Sequence, residues 1–152
     1  MIRTMLAWLA ERLLRGRRFN AAEARLIGFV SEALPADERE VLARQLAAVR
    51  KVRRHHPGRL VAAYYGDASK VPTLPYPGYE HCLADVTYRS TSGPRTTSIV
   101  LHHGRLMTLE RNVPHSLSEV GALVGVRRHP GGFKSVATQI DAEEHGEDAA
   151  PQ

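Results

Sequence analysis

Eight histidines are the chain's main stock of groups able to move a proton or hold a metal near neutral pH. His81 opens a stretch of alternating residues, Cys82 to Arg89, and His102 with His103 closes another, Thr97 to His102. If these stretches pair as strands, the imidazoles gather at one end of a sheet. Asp85 and Glu110 stand in neighbouring stretches, so Asp85 with His81 or His102 is the arrangement that general acid–base chemistry requires. His102 and His103 are adjacent, and adjacent strand residues point to opposite faces, so the two do not share one metal ion. His55 and His56 fall at a helix end, where positive charge favours the helix itself.

Cys82 is the only cysteine, which excludes an internal disulfide and any cluster built from several thiolates. It alternates with Ala84 and Val86 and reads as a small core residue rather than a nucleophile. The chain holds no Gly-rich phosphate loop, no dinucleotide fingerprint, no His-Glu-x-x-His and no nucleophile elbow. No metal and no cofactor is expected on these grounds, and an enzyme is the minority reading.

Charge gives a second candidate. Residues 1–59 hold thirteen Lys/Arg against six Asp/Glu, whereas everything from Asp141 onward holds five acids and no Lys or Arg. Arg39, Arg44, Arg50, Lys51 and Arg54 share one side of a predicted helix, opposite Leu42, Leu46 and Val49. Such a face can meet phosphate oxygens of nucleic acid, with Tyr64, Tyr65 and Tyr76 available to stack on bases. The same spacing also describes an ordinary solvated helix face.

The third candidate is a protein interface. Trp8 beside Leu6 and Leu9 on the first helix, together with Tyr65, Leu83 and Leu106 on the sheet, offers apolar surface for a second copy or another protein, and symmetric dimers are the commonest oligomers.

The elements that must position these groups follow from periodicity. Ile2, Met5, Leu6, Leu9 and Leu13 recur at helical steps; Asn20 with Glu23 has the capping-box spacing before Leu26, Ile27 and Val30; Pro35 and Asp37 open a third helix running to Arg54. The period then becomes two. Leu60–Tyr65, Cys82–Arg89, Thr97–His102 and Arg105–Arg111 predict four strands, with a proline-rich loop, Pro72 to Gly78, between the first two. Pro114, Ser116 and Glu119 introduce a short C-terminal helix stopping at Gly125.

The expected fold is therefore α+β: three N-terminal helices packed on a four-stranded, mainly antiparallel sheet with Cys82–Arg89 central. Residues 1–140 form one domain and 141–152 a disordered acidic tail. Glu11 and Arg12 interrupt the first apolar run, no stretch approaches a membrane span, and a cytoplasmic location follows. The functional expectation is a small accessory or regulatory binding domain that acts through protein–protein interaction and self-association. Nucleic-acid binding by the basic helix face and a His–carboxylate enzyme are the alternatives.

Overall fold

In the computed structural model, which describes residues 18–55, 59–111 and 120–130, the first element is a helix started by Asn20. Helix α1 spans Ala21–Ala33. Asn20 Oδ1 accepts from the Glu23 backbone N–H and the Glu23 carboxylate accepts from the Asn20 N–H, each at 2.8 Å, so two otherwise orphaned donors are satisfied. Glu23 is 1% exposed, and the guanidinium of Arg54 balances its charge with Nε at 2.7 Å and a second nitrogen at 2.8 Å. Leu26, Ile27 and Val30 form the buried stripe.

Leu34 turns extended ahead of Pro35, which ends α1 and leads into α2, Ala36–Ala48. Arg39 reaches back and donates to the carbonyls of Ser31 and Leu34, satisfying the end of α1. Asp37 and Glu38 occupy the first turn of α2, where negative charge meets free amides.

Six strands follow: β1 Val49–His55, β2 Leu60–Tyr65, β3 Glu80–Ser90, β4 Gly93–His102, β5 Arg105–Arg111 and β6 Leu123–Arg128. They form one sheet in the order β1-β2-β5-β4-β3-β6 with every neighbouring pair antiparallel. Helix α1 packs against β3 and β6, and α2 against β5, on the same face. The core between the layers is built from Leu26, Ile27, Leu42, Val86, Tyr88, Ile99, Leu101, Leu106 and Leu109.

This α+β architecture corrects the expected one in several respects. The described helices number two, and the first predicted helix, Ile2 to Leu14 with Trp8, lies outside the described residues. The third predicted helix does not run to Arg54: after Ala48 the chain becomes β1. Val49 and Val52 favour the pleated state, and β1 gains a ladder with β2 that a longer helix would forgo. The predicted helix ending at Gly125 is replaced by β6, whose Leu123, Val126 and Arg128 pair with β3; residues 112–119 are not described. The sheet thus has six strands rather than four, and its central pair is β4–β5, with β3 next to the edge. No helix among the described residues is long and apolar enough to cross a membrane.

One buried side chain ties these layers together. Gln45 is fully buried on α2, and its amide donates to the carbonyls of Pro72 at 2.8 Å and Gly104 at 2.9 Å while its oxygen accepts from Leu106 N–H at 2.9 Å. The Pro72–Gly78 loop is thereby fastened to the β4–β5 turn. Gly104 sits at φ +74, and a Cβ there would stand 2.7 Å from the Leu74 carbonyl, so this turn requires glycine. Replacing Gln45 by Leu removes a partner from three backbone groups, of which the Gly104 carbonyl keeps the Leu74 N–H. Chemical denaturation of Gln45→Leu should show a loss of about 2–4 kcal/mol; a loss below about 0.5 kcal/mol, the range of inert surface changes, would show that the amide does not hold the layers.

Candidate functional site

A strand alternates its side chains between faces, so residues three apart normally point opposite ways. In β3 the register slips by one: Cys82 faces Val100, Ala84 faces Ile99, and Leu83 is the extra residue of a bulge. The slip turns Cys82 and Asp85 to the same face, away from the helices, together with Ser98 opposite Asp85. Arg127 of β6 lies opposite Asp85 on the other side, and His129 follows two residues later on the same face.

Asp85 is the centre of this group. It is 9% exposed. Its Oδ1 accepts from Ser98 Oγ at 2.6 Å, and its Oδ2 meets Arg127 at 3.0 Å and His129 Nε2 at 2.8 Å. Burial pushes its carboxyl upward, but the hydrogen bonds from Ser98, His129 and Arg127 outweigh that and hold it below the ordinary value of 3.8. Cys82 Sγ lies 3.7 Å from Asp85 Oδ1. Burial, reinforced by the Asp85 charge, pushes its thiol up to about 12, so at neutral pH it is not a thiolate nucleophile.

His129 is itself held from two sides. Its backbone N–H donates to the carbonyl of Leu83, the bulged residue, at 3.1 Å, and its backbone also takes a hydrogen bond from His81. His81 points to the helix side of the sheet, stacks on Tyr76 at 4.6 Å between ring centroids, and is driven toward neutrality chiefly by burial. Arg128, next to Arg127 and on the opposite face, donates to Tyr76 Oη at 2.7 Å, and Tyr76 donates to Glu38 at 2.9 Å.

The predicted acid–base candidates thus separate. Asp85 does meet a histidine, but it is His129. His81 lies across the sheet, and His102 ends β4 beside Tyr79, at 5.1 Å between ring centroids. The basic residues separate as well. Arg39 is engaged at the end of α1 and Arg54 with Glu23, and Arg50 and Lys51 are consecutive on a strand, so with Arg44 the five do not line one helix face. Of the interface residues, Leu83 and Leu106 are buried in the core at 1% and 0% exposed, and Tyr65 spends its hydroxyl on the Leu106 carbonyl; Trp8 lies outside the described residues. Among the described residues the exposed large apolar side chains are Tyr64, Tyr79, Leu123 and Val124.

Ser98, Arg127 and His129 escaped the sequence reading. Ser98 was accessible in principle, as a polar residue on the alternate face of a recognised strand. His129 was not, because the residues around it show neither period clearly. In comparisons with known proteins, no family model, no curated protein and no solved structure matches the chain.

A folded-state pKa held below the unfolded value contributes stability above the unfolded value, and that contribution is lost as pH falls through the folded one. Asp85→Asn should therefore be less stable than the parent by about 2–4 kcal/mol at neutral pH. The gap should close as the medium is acidified below 3.8. Urea denaturation of both proteins across that range measures it, and a gap independent of pH would mean that the carboxylate charge is not what the network stabilises.

Proposed function

We propose that the chain is a small binding domain that associates with a second copy of itself at the β6 end of its sheet. The observation that carries this reading is the difference between the two edges. Strand β1 places Arg50, Lys51, Arg53 and Arg54 within seven residues, the charge pattern that keeps an edge from pairing. Strand β6 begins Leu-Val-Gly-Val with no charge, and Leu123 and Val124 are 40% and 57% exposed.

Val124 is an extra residue between the pairs Thr87–Gly125 and Tyr88–Leu123, so the rim bends there and the two apolar side chains form a step. A groove of about 540 Å³ lined by Ala21, Ala22, Arg25, Arg89, Val120 and Gly121 lies beside it. A step and a groove side by side on one molecule are what a two-fold contact uses, since each copy then supplies both halves. Sedimentation velocity over a range of concentrations should show a reversible dimer for the parent and a monomer for Val124→Asp with an unchanged far-UV spectrum. A parent that stays monomeric at high micromolar concentration removes the reading.

A second reading rests on a different surface. Lys51, Arg53 and Tyr64 are exposed on the face opposite the helices, with the Arg53 guanidinium 5.6 Å from the Tyr64 ring centroid. This cation–aromatic group suits unpaired bases and phosphate. If it acts so, retention of single-stranded nucleic acid should fall steeply as salt rises from about 50 to about 200 mM and vanish in Lys51→Glu/Arg53→Glu. Retention equal in parent and variant would leave the group a solvated surface.

A further inference from the structure

We infer that Cys82, Asp85 and His129 form a binding site for one divalent metal ion of the zinc class, with a fourth coordination position left for water or an incoming ligand. The three residues lie in chain order Cys82-x-x-Asp85 and then His129, and their ligand atoms all fall within 4.8 Å of one another. A tetrahedral ion with bonds of about 2.0–2.3 Å separates its ligand atoms by about 3.5 Å. Cys82 Sγ stands 3.7 Å from Asp85 Oδ1 and His129 Nε2 stands 2.8 Å from Asp85 Oδ2, so the carboxylate spans the gap between the other two donors, and small side-chain rotations bring one oxygen, the sulfur and the nitrogen to that separation.

Its construction distinguishes this group from a chance cluster. The Leu83 bulge brings Cys82 to the face of Asp85, and the carbonyl of the same Leu83 holds the His129 backbone, so one local irregularity aligns all three ligands. Ser98 orients the carboxylate from the side away from His129, as outer partners of metal ligands do. A bound divalent cation would favour the deprotonated thiol as a ligand and release its proton.

The mixed sulfur, nitrogen and oxygen set selects among ions. Calcium and magnesium require six or more oxygens, which one carboxylate does not supply, whereas zinc accepts all three donor types in a four-coordinate shell. Arg127 supplies the competing charge. Its side chain is 73% exposed and touches Asp85 from the rim, so it can swing away when a cation arrives. It would then act as a built-in rival that weakens metal binding.

Cobalt(II) titrated into the chelator-treated full chain reports the site directly, because a thiolate bound to cobalt absorbs in the near ultraviolet and a four-coordinate ion absorbs strongly in the visible. The expected result is saturation at one ion per chain, displacement by zinc, and release of the thiol proton. Cys82→Ala should lose the near-ultraviolet band, and His129→Ala should bind at least about tenfold more weakly. Arg127→Gln, an exposed change that leaves the fold intact, should bind several-fold more tightly. Absence of the thiolate band with excess cobalt at mildly alkaline pH overturns the proposal, as does a band that survives in Cys82→Ala. Unchanged affinity in Arg127→Gln overturns the part assigned to that residue.

Discussion

The arrangement depends on the single extra residue in β3. Without the bulge at Leu83, strict alternation would send Cys82 and Asp85 to opposite faces, and only one of them could approach Ser98 and His129. With it, Ala84, Val86 and Tyr88 still face the helices while Cys82 joins Asp85 on the other side. The core keeps its apolar row, and the far face gains a compact polar group. The carbonyl of the bulged residue receives the His129 amide, so the irregularity also fastens the chain beyond β6.

Two other buried polar side chains follow the same economy and take partners from distant segments. Glu23 closes the cap of α1 and takes Arg54 from β1; Gln45 binds the proline-rich loop, the β4–β5 turn and β5. Leaving any of these unpaired would cost more than the hydrogen bond itself contributes. This is how the two described helices register on the six-stranded sheet: apolar packing supplies the adhesion, and a few polar ties choose which arrangement of the layers survives.

Much of this was legible in the residues, and the failures have physical causes. The Asn20–Glu23 cap, the strands Leu60–Tyr65 and Arg105–Arg111, and the tight His103–Gly104 turn stand where spacing and turn chemistry place them. Val49–His55 misled because its valines three apart and its surrounding arginines satisfy a helical period as well as a strand, and only the ladder with β2 decides between them. Leu123–Arg128 misled because a capping-box spacing precedes it, and Gly121 before it and Gly125 within it dilute its pattern. Uninterrupted alternation turns Leu83 and Leu106 outward, whereas bulges at Leu83 and Met107 reset the faces of β3 and β5. A bulge leaves almost no trace in composition. The centre of the candidate site, Asp85, could be read from the sequence, but its partner His129 could not, since its position is fixed by backbone bonds to a residue 46 places earlier.

Strand β6 joins the candidate site to the candidate association surface. Among the described residues it pairs only with β3, and its two consecutive arginines anchor it on both faces: Arg127 to Asp85, Arg128 to Tyr76 and Glu38. The apolar step at Leu123 and Val124 therefore stands on a strand whose attachment is partly electrostatic. Anything that changes the charge at Asp85, whether a proton or a cation, removes one of these anchors while leaving the other and the ladder in place. Because Arg128 and the backbone bonds remain, the expected response is a loosened rim rather than a lost strand, and the self-contact proposed for Leu123 and Val124 would weaken without the core being exposed. Strand β6 is thus the one element that carries both an anchor to the polar group under the sheet and the exposed Leu123 and Val124 at its edge.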